Sequence, residues 1–206
     1  TGGKSIPKMG ATGRAYTIAE AFGHKVTETR PALVPFTFGE TLADLKALAG
    51  LSVDGRASAG GASFDEAILF THRGLSGPAI LQVSSYWREG EEILLDLAPG
   101  QDIGAALALE KRRGGRKQVS TALEAHLPQR LAAEMAARLG AGGRLADQSD
   151  ARLREIGQGL NDWHLKPTAT EGYRTAEVTL GGVDTEGLSS RTMMSKHVPG
   201  LFFIGE

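Results

Sequence analysis

The order of hydrophobic and polar positions divides the chain into a strand-rich part, a helical part and a second strand-rich part. Short apolar segments bounded by glycine and proline predict strands at 25–38, 51–57, 67–70 and 91–97. Between residues 102 and 161, leucines recur at helical spacing, which predicts three or four short helices. Strands return at 165–168 and 175–180. This order indicates a β subdomain interrupted by a helical insertion.

Three further helices are predicted outside the insertion. Residues 14–22 form one, with Thr12 as its N-cap and Gly23 at its end. Residues 41–48 place three leucines on one face of a second helix. A third begins at Pro78, where proline is favoured in the first turn, and Ser76 is predicted to cap it.

Both ends of the chain carry short glycine-containing motifs. Residues 1–11 form a glycine- and proline-rich loop, and 201–204 predict a short buried strand followed by Gly205 and Glu206. A buried strand needs neighbours, so we expect the chain to be an internal piece of a longer protein. A carboxylate at the carboxyl end of a strand can accept hydrogen bonds from sugar-like hydroxyl groups.

Composition excludes several classes of chemistry. The 206 residues contain no cysteine, which excludes disulfide scaffolds, thiolate metal sites and cysteine nucleophiles. The five histidines lack metal-ligand spacing, so no metal site is predicted. The net charge of -1 gives no overall electrostatic case for nucleic acid or an anionic membrane. Apolar runs stay well short of the ~20 residues that span a bilayer, and no complete dinucleotide-binding glycine motif or P-loop occurs.

Candidate chemistry lies in three segments. His72 and Arg73 stand beside the predicted helix start at Ser76, an arrangement that favours anions, and the alternative for His72 is a loop histidine whose hydrogen bonds are satisfied within the chain. Gly181 and Gly182 follow a predicted strand and suit a tight turn or a backbone that approaches a flat ligand. The basic run at 111–117 is typical of a solvated helix end, and it alone supports a non-enzymatic protein- or RNA-binding module.

Several longer strings occur in an order that resembles one family. They are Thr1-Gly2-Gly3, Gly10-Ala11-Thr12-Gly13, and the segments at 70–78, 170–179, 181–185 and 199–206. Together they are similar to the HI0933-like flavoproteins, also described as BaiN-like or aminoacetone-oxidase-like. The resemblance covers essentially the whole chain.

The resemblance implies an α+β fold. A β-barrel-like subdomain (25–100 and 163–185) would be interrupted by a small all-α subdomain (101–162). Remnants of a discontinuous Rossmann-like FAD domain (1–24 and 186–206) would flank it. The residues that match the family's cofactor segments are Thr1, Gly2, Gly3, Gly181, Gly182, Gly205 and Glu206.

The resemblance also implies a function for the full-length protein. It would be a bacterial-type, cytoplasmic FAD-dependent oxidoreductase acting on a small organic substrate, with NAD(P)H as a candidate reductant. The insertion would cap the flavin and shape the substrate pocket, and the candidates on the substrate side are His72, Arg73, Ser76 and Arg174. Its partner would be the rest of its own FAD domain, with no nucleic acid and no membrane. Without the dinucleotide-binding motif, the piece itself is expected to be inactive and not to retain FAD.

Overall fold

The computed structural model describes residues 2–205, with the side chains of all but residues 40, 41, 43 and 44. The described α-helices are α1 Arg14–Ala21, α2 Pro78–Ser84, α3 Ile103–Arg112, α4 Val119–Leu123, α5 Gln129–Arg138 and α6 Asp150–Asn161. The described strands are β1 Arg30–Ala32, β2 Phe36–Thr37, β3 Ser52–Ala59, β4 Ala62–Phe70, β5 Gly74–Ser76, β6 Ile93–Asp96, β7 Trp163–Leu165, β8 Ala169–Thr170 and β9 Val178–Leu180. Short 3-10 helices occupy Pro7–Met9, Glu40–Leu48, Leu145–Asp147 and Thr185–Gly187.

The chain forms two compact units. The larger unit is residues 35–169, and the smaller unit combines the residues up to 34 with those from 170 onward. The subdomain boundaries expected from the sequence stay predictions. Within residues 2–205, no helix is long and apolar enough to cross a membrane.

The larger unit is built on a seven-stranded sheet in the order β7-β6-β3-β4-β5-β2-β8. Its centre is the antiparallel hairpin of β3 and β4, which pairs from Ser52 with Leu69 to Ala59 with Ala62. Gly60 and Gly61 make the two-residue turn with φ of 55° and 80°, as such hairpin turns require. Alternate residues of β3 are buried, so one face of the sheet lies on the core.

One hydrophobic core extends from this sheet into the helical subdomain. Phe36 and Trp87 meet edge to face at 5.1 Å between ring centroids, and the Trp87 indole N–H donates to the Glu91 carbonyl oxygen at 2.9 Å. The same core includes buried aliphatic side chains of α3, α5 and α6. The helices predicted between residues 102 and 161 are present as α3–α6.

The helical subdomain depends on two caps and one close helix contact. The Asp102 carboxylate accepts from the Ala105 amide at 2.8 Å, and the Ser149 hydroxyl accepts from the Arg152 amide at 3.1 Å. Helices α3 and α6 approach at Gly104 and Gly157, where a Cβ on Gly157 would lie 2.2 Å from the Gly104 nitrogen. Only glycine permits this approach.

The smaller unit contains α1 and the antiparallel pair of β1 and β9. His24, 5% exposed, lies with its Nε2 atom 2.8 Å from the Ser195 Oγ atom. That oxygen also accepts from the backbone amides of His197 and Val198 at 3.1 and 2.9 Å. Since two amides occupy its acceptor positions, the Ser195 hydroxyl donates its proton to His24.

The structure corrects the expected barrel. The seven-stranded sheet does not close among the described residues, because β7 and β8 lie at its two edges. A Rossmann-like arrangement is not shown either: in 2–24 and 186–205 the described elements are α1, a 3-10 helix at each end and isolated bridges. The α+β class itself is confirmed.

Several local predictions are also wrong. Gly13, not Thr12, is the N-cap of α1, and Gly77, not Ser76, is the N-cap of α2. Ser76 belongs to β5 and pairs with Leu69. The short helix predicted at 41–48 is present, as the 3-10 helix Glu40–Leu48 with a kink at Leu42.

Two predicted strands also differ from the structure. The strand predicted at 165–168 is not formed as one element: β7 ends at Leu165, and β8 begins at Ala169. The buried strand predicted at 201–204 is reduced to one bridge between Met194 and Phe202. Phe202 and Ile204 are 52% and 91% exposed in this structure.

Candidate functional site

The loop after Gly2-Gly3 is fastened to strand β9 through one hydroxyl group. The Thr179 Oγ1 atom accepts from the backbone amides of Lys4 and Ser5 at 2.9 and 3.2 Å, and the Ser5 hydroxyl lies 3.0 Å from it. Gly3 lies so close that a Cβ atom would be 2.7 Å from Thr179 Oγ1. The N-terminal glycine motif is therefore held in a fixed position beside β9.

Lys4 directs its ammonium group toward two tyrosines. Its Nζ atom donates to Thr29 Oγ1 at 2.9 Å and lies 5.6 Å from the ring centroid of Tyr16 and 5.8 Å from that of Tyr173. At these distances both rings attract the cation through their π-electron faces. The residue is partly buried. Lys4, Tyr16 and Tyr173 thus form one polar-aromatic cluster, which we call the lysine–tyrosine cluster.

The two phenol groups of the cluster can act as hydrogen-bond donors. Burial raises the pKa of the Tyr16 phenol above its ordinary value; nearby Tyr173 adds to the rise and Thr179 opposes it. Tyr16 therefore keeps its proton at neutral pH. The Tyr173 hydroxyl oxygen is buried and makes no hydrogen bond with the described residues. A buried hydroxyl without a hydrogen-bond partner is energetically costly.

The glycine turn after β9 borders the same cluster. A Cβ on Gly182 would be 3.5 Å from the Cε1 atom of Tyr16, and one on Gly181 would be 2.0 Å from the Glu28 carbonyl oxygen. Both glycines have positive φ, 78° and 146°. The structure thus places Gly3 and Gly182 next to Tyr16, whereas Gly181 packs on the Glu28 backbone.

The other predicted cofactor residues are less informative. Gly2 is exposed, and a Cβ there would meet nothing within 4 Å, so its surface is open to a ligand. Gly205 is also exposed and equally open. Thr1 and Glu206 lie outside the described residues, so their predicted roles stay predictions.

The substrate-side candidates lie in both units. His72 and Arg73 are exposed at the tip of the β4–β5 turn, in the larger unit. The Thr71 hydroxyl holds this turn by accepting from the amides of Arg73 and Gly74 at 3.2 and 3.0 Å. Ser76, at the end of β5, is part of the sheet, whereas Arg174 is exposed in the smaller unit. Their predicted role in substrate binding stays a prediction.

Sequence reasoning missed Lys4, Tyr16, Tyr173 and Thr179. Lys4 directly follows the glycine motif and Thr179 lies two residues before Gly181, so a position near a motif was the available signal. Tyr16 lies inside the predicted helix at 14–22, where no motif marks its hydroxyl group. Among the described residues, no group of three metal-ligating side chains is close enough to hold an ion.

Comparison with known proteins identifies the family. The family model described as "HI0933-like protein barrel and H2TH domain" matches residues 30–178, most of the chain. The chain belongs to the HI0933-like family. The resemblance inferred from the short motifs is thereby confirmed.

Two relatives of this HI0933-like chain carry the same name, "Ribosomal RNA dihydrouridine synthase". The chain is 47% identical to the protein of Escherichia coli (strain K12) over 213 residues. It is 44% identical to that of Haemophilus influenzae (strain ATCC 51907 / DSM 11121 / KW20 / Rd) over 209 residues. Each match covers 100% of this chain and 52% of the relative, so the chain spans about half their length. Both names disagree with the expected small-molecule substrate and with the expected absence of nucleic acid.

Proposed function

We propose that this chain is part of an FAD-dependent enzyme that reduces uridine in ribosomal RNA to dihydrouridine. The observation that carries the proposal is the similarity of the whole chain to two proteins named "Ribosomal RNA dihydrouridine synthase". The chain is 47% identical to one and 44% identical to the other. Ribosomal RNA replaces the small organic substrate as the proposed partner. NADH or NADPH is the proposed source of electrons.

The reaction adds one hydride and one proton across the C5=C6 double bond of uracil. Bound FAD supplies hydride-transfer chemistry, while the protein supplies position, charge and protection from water. The chain has no cysteine, so none of its own residues can donate the proton from a thiol. The proton donors available in this chain are other protonated side chains, such as the Tyr16 phenol.

The surface beside the lysine–tyrosine cluster is the proposed flavin contact. A Cβ on Gly2 would meet nothing within 4 Å, so the backbone there would let a flat ring system approach. A cation beside the ring stabilises the negative charge of a reduced flavin, and Lys4 would provide it. The weak retention of FAD expected for this piece stays a prediction.

The proposal is tested with the complete protein, an rRNA transcript, and NADH or NADPH. Nucleoside mass spectrometry should detect dihydrouridine only when reductant is present, and the protein should show a flavin absorbance band that bleaches on reduction.

Lys4→Gln removes the charge at the cluster and should slow the reaction strongly. Lys8→Gln is the matched control, because Lys8 is exposed in the next turn of the same loop and should change little. A colourless protein that binds rRNA but forms no dihydrouridine would refute the enzyme and favour the non-enzymatic RNA-binding module.

A further inference from the structure

Two glycine-rich segments of the helical subdomain form a hydrogen-bonded pair. The first is 113–118, between α3 and α4, and the second is 142–146, between α5 and α6; together we call them the paired loops. The Leu145 amide donates to the Lys117 carbonyl oxygen at 2.9 Å, and the Ala146 amide donates to that of Gly115 at 3.0 Å. Gln118 and Arg144 make an antiparallel bridge. Residues 26 to 31 positions apart in sequence therefore share one surface.

Glycines at the contact fix the shape of this surface. Gly115 has φ of 58°, and a Cβ there would be 3.1 Å from the Ala146 backbone nitrogen. Gly143 has φ of 85°, and its carbonyl oxygen accepts from the Val119 amide at 3.0 Å. These positive-φ positions favour glycine, so the loop geometry is built into the sequence.

The paired loops carry cations that no carboxylate neutralises. Arg113, Arg116 and Arg144 are exposed and make no ion pair within 4.0 Å among the described residues. The neighbouring lysines are already paired: Lys111 with Asp150 at 2.7 Å and Lys117 with Glu110 at 2.9 Å. The three arginines are therefore available to a ligand.

We propose that the paired loops bind the phosphate backbone of the RNA substrate through Arg113, Arg116 and Arg144. The proposal rests on the proposed function for the identity of the polyanion. Arginine forms paired hydrogen bonds with phosphate, and clustered arginines release counterions when they contact a nucleic acid. A membrane surface fits less well, because the large apolar side chain in these loops, Leu145, is fully buried and cannot insert into lipid.

The test compares two matched double variants of the complete protein. One is Arg113→Gln with Arg116→Gln. The control is Arg154→Gln with Lys166→Gln, which removes two exposed charges outside the paired loops. Binding to an rRNA transcript is measured by fluorescence anisotropy from about 50 to 200 mM salt, the range over which phosphate contacts change affinity strongly.

Each phosphate contact contributes roughly 0.7 to 0.9 to the slope of log affinity against log salt. Losing two contacts should reduce the slope by about 1.4 to 1.8 and weaken binding about 25- to 60-fold at 0.1 M salt. The control variant should keep the wild-type slope. Arg144→Gln should lower the slope by roughly half as much, since it removes one contact.

Equal slopes for both double variants would overturn the proposal, even if the wild-type protein makes dihydrouridine. Wild-type binding to anionic phospholipid vesicles but not to RNA would overturn it as well. If the loop variants lose RNA binding while the wild-type protein forms no dihydrouridine, the loop assignment stands and the proposed enzyme activity fails.

Discussion

Replacing Gly157 with alanine should separate helices α3 and α6. The new Cβ would lie 2.2 Å from the backbone nitrogen of Gly104 and 2.6 Å from its Cα, whereas ordinary contacts begin near 3.4 Å. Backbone atoms cannot rotate away, so the two helices must move apart by roughly 1 Å. The separation loosens the core between the helical subdomain and the sheet.

A second glycine of the same helix provides a matched control. A Cβ on Gly159 would meet only the tip of the Leu139 side chain, its Cδ2 atom at 2.6 Å, and that tip can move. Alanine also favours a helix over glycine by about 1 kcal/mol. Overpacking typically costs about 1–3 kcal/mol. We therefore expect Gly157→Ala to lower the free energy of unfolding by about 2 kcal/mol, and Gly159→Ala to leave it unchanged or raise it by up to about 1 kcal/mol.

Thermal and urea unfolding distinguish the two variants. For a chain of this size, a loss of about 2 kcal/mol corresponds to a fall in Tm of about 4–8 °C. The urea m value should stay constant, because the change acts on native packing. Equal shifts for both variants would refute the reasoning, since they differ only in what the added methyl group meets.

Three further predictions concern hydroxyl anchors and one ion pair. Thr179→Val should leave two backbone amides without an acceptor, destabilise the protein by about 2 kcal/mol and lower flavin content, whereas Thr179→Ser should retain both properties. Ser195→Ala should destabilise the smaller unit by about 1–3 kcal/mol, measurable by urea unfolding, because two amides and a buried histidine lose their partner.

The hydrogen bond from Lys111 holds the pKa of Asp150 below its ordinary value, so Lys111→Gln should raise that pKa in a carboxyl NMR titration and leave Asp65 unchanged. The stability that this pair contributes is present above the ordinary carboxyl pKa and is lost as the pH falls through the folded-state value.

The sequence predicted helices between residues 102 and 161 because apolar side chains recur there at helical spacing, as at Leu153, Ile156 and Leu160, which are buried in α6. It predicted strand existence better than strand limits: β4 begins at Ala62, whereas the apolar run that predicted it begins at 67. In the first residues of β4, polar side chains alternate with apolar ones, because one face of this strand is exposed. Such solvent-facing segments carry little hydrophobic signal.

The sequence shows the glycine motifs but not the polar side chains around them, for a physical reason. The motifs are visible as short strings, and the structure places Gly3 and Gly182 next to Tyr16. Their polar neighbours are brought in by long-range pairing, as when Thr179 binds a loop 174 residues away. Long-range pairing also brings Arg144 into the paired loops, through its bridge to Gln118.

The central claim is that the protein containing this chain makes dihydrouridine in ribosomal RNA. The most direct measurement is nucleoside mass spectrometry of rRNA from cells that lack the gene, with and without a plasmid copy. We predict that dihydrouridine disappears from rRNA on deletion, returns with the wild-type copy, and returns poorly with Lys4→Gln. Unchanged dihydrouridine in the deletion strain, or full restoration by a copy that binds no flavin, would contradict the account.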